Sequence, residues 1–391
     1  MRAHHLIVTG GGGYIGARLI EFALAQGRTV TMLGRRPGPA GTTHAQWVLG
    51  DPLPTGLSLP EGAALVHLAH DWRAGAEDNV AGTATLFASA RDAGVASRVF
   101  ISSQSARSDA LNLYGRMKWQ TEQRIIDATS LRVGLVYGGP RQAMYGLLCR
   151  LSRLPILPMI DPWRAVQPIH LDEVVRGILA AADGRARGVL ALAGPEKIAF
   201  GDVLRALASA HCGRRLPILP VPLKLALLAC KISAHIPLVP TIDKERVLGL
   251  AGTEPIDSAM DLVRLGVDVQ PIDARLAAEP AGRRAVLDEG RHFLRYLGVR
   301  PTSVLLRRYA RATPEGAIAR PHWGLRWREP LSATSPLGKR LRVAARIAEA
   351  SAPGEEMLAG GSRAGRMLGL ALQGVVELLL FPTRMLASLA R

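Results

Sequence analysis

Four consecutive glycines near the start of the chain constrain its fold more than any other feature: Thr9-Gly10-Gly11-Gly12-Gly13-Tyr14-Ile15-Gly16. Four residues without side chains cannot hold a packed strand or helix, so the run must be a turn. The apolar residues 5–10 before it predict a strand, and the pattern of residues 14–26 after it predicts a helix. A strand–glycine turn–helix unit has a specific use. Gly10 permits the tight turn, Gly13 lets a ligand come close to the backbone, and Gly16 lets the helix pack near the strand. The N–H groups of the helix then point at an anion, the pyrophosphate of a dinucleotide. Thr9, Gly10, Gly13, Tyr14, Ile15 and Gly16 are the candidate cofactor-binding residues of this turn.

The first 200 residues repeat the same rhythm. Strands are expected at 29–34, 64–69, 98–103, 131–138 and 188–194, and helices at 79–93, 113–128, 171–182 and 200–211. Alternating strands and helices specify an α/β protein, a Rossmann-type doubly wound parallel sheet. With 48% hydrophobic and 21% charged residues, a disordered chain is excluded. A smaller, mostly helical substrate region is expected within 140–170 and 195–299, including a short apolar helix near 223–235. Residues 1–299 thus form the predicted cofactor- and substrate-binding domain, and 300–391 a basic, helical C-terminal appendage.

Two further groups of residues carry chemistry. The second strand ends Leu33-Gly34-Arg35-Arg36, without the carboxylate that usually binds both ribose hydroxyls. Arg35 and Arg36 suit a 2′-phosphate instead, which favours NADP(H) over NAD(H). Asp51, after Gly50, either accepts from the adenine amino group or caps a turn. Tyr114-Gly-Arg-Met-Lys118 puts a phenol and an ammonium on one helix face, where the ammonium is expected to lower the phenol's pKa for acid/base work. Ser102 and Ser103 end the fourth strand, at the sheet edge where such folds bind ligands. His170 with Asp172 and Glu173 reads as the capped start of a helix.

Together these residues resemble the extended short-chain dehydrogenase/reductase family, the NAD-dependent epimerase/dehydratase group. The resemblance covers residues 4–280 and rests on TGGGGYIG (9–16), Gly50-Asp51, His67-Leu68-Ala69, Asn79–Thr83, ISS (101–103), YGRMK (114–118), LRVGLVYG (131–138) and QPIHLDEVV (167–175). It implies an enzyme acting at a secondary alcohol or carbonyl, a sugar-nucleotide among the candidates. Tyr114 would be the catalytic acid/base, Lys118 would bind the nicotinamide ribose, and Ser103, or else Ser105, would orient the substrate oxygen. Leu68 and Ala69 would line the cofactor, and Asn79 would support the central helix. Two departures point away from a UDP-sugar: the short Ser103–Tyr114 interval, and Leu135 where such epimerases carry a substrate-binding Asn. Those features and residues 155–161 and 224–237 look more like the branch near the complex I NADPH-binding accessory subunit. That likeness implies the alternative of a non-catalytic NADPH-holding structural or assembly subunit of a membrane complex.

The net charge is +17, and more than half of it falls in residues 300–391. Few aromatics (5%) argue against nucleic acid, leaving an anionic membrane surface or membrane complex as the expected partner of this segment, beside a small-molecule substrate for the main domain. Residues 367–381 are apolar, yet shorter than the roughly 20 residues of a membrane span. They suit a helix lying on a membrane, or one docked on the body or in a homodimer interface. Arg320, Trp323, Arg326, Trp327 and Arg328 read as a loop packed by its tryptophans. Cys149, Cys212 and Cys230 form no CxxC pair, so neither a disulfide framework nor a metal site is expected. With a strand starting near residue 5 and no leader-like segment, the expected location is cytoplasmic, with or without peripheral attachment to a membrane.

Overall fold

The computed structural model describes residues 3–57, 59–212, 215–222, 254–278, 287, 290–291, 294 and 300–312. The chain falls into two units, Met1–Leu204 with Pro217–Ile272, and Arg205–Leu216 with Asp273–Arg391. The first holds a seven-stranded sheet of β1 (His5–Thr9), β2 (Thr29–Gly34), β3 (Thr43–Gln46), β4 (Ala64–His67), β5 (Ser97–Ser103), β6 (Thr129–Val133) and β11 (Val189–Leu192), in the order β11-β6-β5-β4-β1-β2-β3. Every pairing in it is parallel. Three short pairs lie outside: β7 (Leu135–Tyr137) with β10 (Pro168–His170), β9 (Ala165–Val166) with β12 (Ile198–Ala199), and β8 (Leu157–Met159) with β13 (Ile218–Pro220). The expected doubly wound α/β fold is therefore present.

Each face of the sheet has its own core because alternate strand residues point opposite ways. Leu6 and Val8 of β1 join Leu19 and Ile20 of α1 (Tyr14–Ala25) and Val174 and Ile178 of α5 (Leu171–Ala182). Ile7 and Leu65 pack on the opposite face with Leu86 and Phe87 of α2 (Ala76–Asp92) and Ile125 after α3 (Leu113–Arg124). The remaining described helices are α4 (Ala143–Leu151), α6 (Phe200–Cys212), α7 (Ala259–Leu265), α8 (Ile272–Ala278) and α9 (Ser303–Ala312). The predicted strand 131–138 is instead two, since Gly134 N–H donates to Leu192 of β11 whereas Leu135 N–H donates to Gln167, before β10. The apolar stretch 224–237, the Arg/Trp cluster 320–328 and the helix 367–381 lie outside the described residues.

The strand order reverses beside β1. From β1 the chain moves outward to β2 and β3, then returns to place β4 on the other side of β1. At such a switch point the connections leave in opposite directions and open a crevice at the carboxyl ends of the strands. Thr9 and His67, the last residues of β1 and β4, are direct register partners at its floor.

Candidate active site

The crevice floor is a hydrogen-bonded chain whose proton order can be deduced. Thr9 Oγ1 accepts from the N–H groups of Leu68 and Ala69, both at 3.2 Å, so its own proton goes to His67 Nδ1 at 2.8 Å. The His67 ring proton then sits on Nε2 and donates to Thr83 Oγ1 at 3.2 Å, and Thr83 donates to the Asn79 carbonyl at 2.8 Å. Complete burial, with Lys118 and His70 nearby, pushes His67 down to about 3, so it stays neutral. Leu68 and Ala69, expected to line the cofactor, therefore have their N–H groups held by Thr9. Asn79 lies in α2 as expected, accepting from Asp71 N–H and donating to the Asp71 and Gly75 carbonyls, which fixes the loop after β4.

The glycine loop sits on this floor. Gly10 has φ +68°, and a Cβ there would lie 2.8 Å from the Ala69 nitrogen. A Cβ on Gly16 would run into the Gly10 carbonyl. The loop and α1 thus approach the strands as only glycine permits. No side chain caps the N-terminus of α1, and the space around Gly12 is open. An uncapped helix end above an open glycine cradle fits a pyrophosphate. Tyr14 is committed elsewhere: its hydroxyl donates to the Gly138 carbonyl at 2.5 Å and its ring stacks on Tyr145 at 6.4 Å. Ile15 is partly buried and packs against the core of the α1 face.

Arg35 and Arg36 follow β2, are exposed, and make no ion pair with a described residue. His44, which sequence reasoning missed, stands beside them, its Nε2 donating to the Gly34 carbonyl at 2.9 Å. A carbonyl can only accept, so Nε2 carries the proton. Asp51 caps a turn: its Oδ2 accepts from Val48 N–H at 3.1 Å. Of the two roles expected for it, this is the one the geometry displays.

The Tyr–Lys pair comes from α3. Asn112 caps the helix, accepting from Gly115 N–H at 3.3 Å. A side chain at Gly115 would collide with the Ser105 carbonyl, so glycine after Tyr114 lets α3 press on the turn that follows β5. In that turn Ser103 Oγ and Ser105 Oγ lie 2.9 Å apart, and Ser103 Oγ accepts from Ser105 N–H. Ser102 turns away and donates to buried Glu122 at 2.6 Å, which also pairs with Arg132 at 2.6 Å. Lys118, 4% exposed, runs under α3; Nζ donates to the Ile101 carbonyl at 2.7 Å, 4.4 Å from the Phe100 ring centre and 5.6 Å from that of Tyr114. Tyr114 and Lys118 are therefore neighbours, as their spacing requires.

The electrostatics differ from expectation. Burial pushes the Tyr114 phenol up to about 12, where a lowered pKa was expected. The same desolvation pulls Lys118 down to about 7, only partly opposed by Glu122. Spacing reveals the ammonium but not how far both groups are removed from water. The structure also adds two residues that sequence reasoning missed. His70 meets the Tyr114 ring edge-on at 5.5 Å, and Trp72 stacks on it at 5.7 Å with 15° between planes. Burial, then Lys118, lowers His70 to about 4. The signal was present only as aromatic residues just after a strand end. His170 plays the expected capping part, accepting from Asp172 N–H while Glu173 reaches back to its own N–H.

Comparison with known proteins agrees with this fold. The sequence model of the NAD dependent epimerase/dehydratase family matches residues 6–188, just under half of the chain. A ketoreductase of Stigmatella aurantiaca, named for 4-hydroxy-2-methyl-3-oxo-4-farnesyl-3,4-dihydroquinoline-1-oxide, is 29% identical over 213 residues, 45% of this chain. The chain spans 64% of that relative's length. Among solved structures, MoeE5 in complex with UDP-glucuronic acid and NAD superposes with a TM-score of 0.50 at 21% identity, covering 68% of this chain and 94% of that one. The UDP-N-acetylglucosamine 4-epimerase of Bacillus cereus does so at 0.50 and 15%, covering 70% and 96%. These likenesses show the shared fold.

Proposed function

We propose that the chain is an NAD(P)-dependent oxidoreductase that interconverts a ketone and a secondary alcohol, with Tyr114 as the acid/base. One observation carries this reading most: Tyr114 stands over a buried Lys118, next to a glycine loop with an open cradle and an uncapped helix end. The nicotinamide, when bound, supplies or accepts a hydride. The protein's own residues manage the proton. With a pKa near 12, Tyr114 holds its proton at neutral pH and can give it to a substrate oxygen that gains negative charge. Lys118, held by the Ile101 carbonyl, stabilises the phenolate left behind. Ser103 orients the substrate oxygen, its hydroxyl fixed by Ser105. Ketone reduction is favoured over sugar-nucleotide epimerisation because the curated relative is named a ketoreductase.

We further propose NADP(H) as the preferred cofactor, supported by the exposed Arg35 and Arg36 and by His44 beside them. Asp51 can still reach the adenine through the carboxylate oxygen that does not cap its turn. Residues 300–391 are proposed as a basic attachment to an anionic membrane surface or complex. The test uses purified full-length protein: bound dinucleotide is identified, and ketone and sugar-nucleotide panels are assayed with wild type and Tyr114→Phe. Turnover lost in the variant with cofactor retained supports the proposal. Tightly held cofactor without turnover on any panel member favours the non-catalytic subunit instead.

A further inference from the structure

We propose that Trp72 determines substrate choice by stacking on a planar ring fused to the reacting carbonyl. The inference deepens the oxidoreductase reading above and rests on it. Exposed tryptophans are unremarkable singly. Trp163 is 71% exposed and makes no ring contact among the described residues. Trp72 differs in where it stands. It is 78% exposed, yet held by two rings: Tyr114, nearly parallel at 5.7 Å, and His70, edge-on at 4.3 Å. At that separation the indole is offset from the phenol and extends its flat surface outward. Tyr114 and His70 cover part of the indole, and the 78% exposure leaves most of its surface open to a ligand.

Three observations favour a planar, uncharged ring there. First, the backbone that carries the indole is fixed just before it. Asn79 ties both the N–H and the carbonyl of Asp71, its chain neighbour. Second, the segment leading into Tyr114 exposes apolar side chains. Leu111 and Leu113, just before Tyr114, are 52% and 49% exposed. These side chains offer no partners for a hydroxyl-dense sugar, and stripping its hydroxyls of water without replacement is costly. Third, His70 is held to its neutral form, so the aromatic group around Tyr114 carries no charge that would demand an anionic ligand. The ligand class is a cyclic ketone fused to an aromatic ring, its oxygen at the Tyr114 hydroxyl.

The test compares 2-tetralone with cyclohexanone. Both are six-membered ketones with unconjugated carbonyls, and only the first carries a fused aromatic ring. Full-length wild type, Trp72→Phe and Trp72→Ala are assayed with NADPH, and 2-naphthol binding is measured by calorimetry as a readout free of turnover. Wild type is expected to prefer 2-tetralone by at least about tenfold in kcat/KM, an energy of about 1.4 kcal/mol. Trp72→Phe keeps most of that preference. Trp72→Ala brings it near unity and weakens 2-naphthol about tenfold, with cofactor affinity unchanged. An unchanged preference in Trp72→Ala overturns the inference and leaves the oxidoreductase reading standing. Trp72-dependent 2-naphthol binding without reduction of any ketone supports the ring site and defeats the reading of activity. Loss of cofactor affinity in Trp72→Ala would assign the indole to the cofactor and overturn the proposal, as would 2-naphthol failing to bind wild type.

Discussion

Replacing Lys118 by methionine is predicted to stabilise the cofactor-free protein while abolishing turnover. The side chain is 4% exposed, and desolvation lowers its pKa from 10.5 to about 7. The unfolded chain therefore keeps its proton up to about pH 10.5, whereas the folded chain releases it near 7. Where the unfolded state binds more protons, stability rises with pH, so this group makes the wild type gain stability from about pH 7 to 10.5. At about 1.4 kcal/mol per tenfold change, the buried charge costs roughly 4 kcal/mol at pH 7. Removing the amine also forfeits its hydrogen bond to Ile101, about 1–3 kcal/mol, and its contact with Phe100, about 1 kcal/mol. The expected net gain for Lys118→Met is about 1 kcal/mol at pH 7, shrinking and then reversing as pH approaches 10. Urea denaturation of both proteins at pH 7, 8, 9 and 10 measures it. Parallel stability curves, with a constant gap across that range, would refute the reasoning. They would mean that Lys118 keeps its ordinary pKa and that the site is wetter than the geometry implies.

Three further outcomes are expected. Thr9→Val removes the acceptor of the Leu68 and Ala69 N–H groups and the donor to His67, and should cost about 2–4 kcal/mol in chemical denaturation. A loss below about 0.5 kcal/mol would show that the chain of bonds under the crevice is dispensable. Replacing Arg35 and Arg36 together by serine should raise the Kd for NADP(H) tenfold or more and leave NAD(H) within about twofold, by fluorescence titration. Equal effects on both cofactors would reject the proposed 2′-phosphate contact. Truncation after residue 299 should abolish sedimentation with anionic phosphatidylserine vesicles, and undiminished sedimentation would rule out the basic segment as the attachment.

Much of the sheet was legible because its punctuation is local. The span of β2 follows from its apolar run ending at Gly34, and α5 from the His170–Glu173 box, and both match expectation residue for residue. The edge strand β3, Thr-His-Ala-Gln, was missed because three of its four residues are polar and none is buried. Only its pairing with β2 makes it a strand. Helix α4 was expected only as part of a mostly helical 140–170 region and without bounds, since prolines crowd the segment after it. At the site, the glycine loop and the Tyr–Lys spacing were readable because each is one local motif. Trp72 and His70 were not. Their contact with Tyr114 spans more than 40 residues and exists only once α3 packs beside β5 and α2. Burial follows from that same packing, so the direction of the Tyr114 pKa was misjudged from spacing alone.

One clasp in the fold bears on how the chain is made. The Asp183 carboxylate at the end of α5 accepts from Ala3 N–H at 2.9 Å and from both arms of Arg28, which in turn donates to the Ala3 carbonyl. Ala3 and Asp183 are 180 residues apart in sequence. At about 5–20 residues per second, a ribosome needs roughly 10–35 s to deliver the second after the first. Through that interval β1, an interior strand, has its neighbours β2 and later β4 but no clasp, and the apolar face meant for α5 has no cover. The nascent chain therefore spends its most exposed period with this interior strand already built. A chaperone that covers this face in that window, or a pause that prolongs it, would act before the clasp can close.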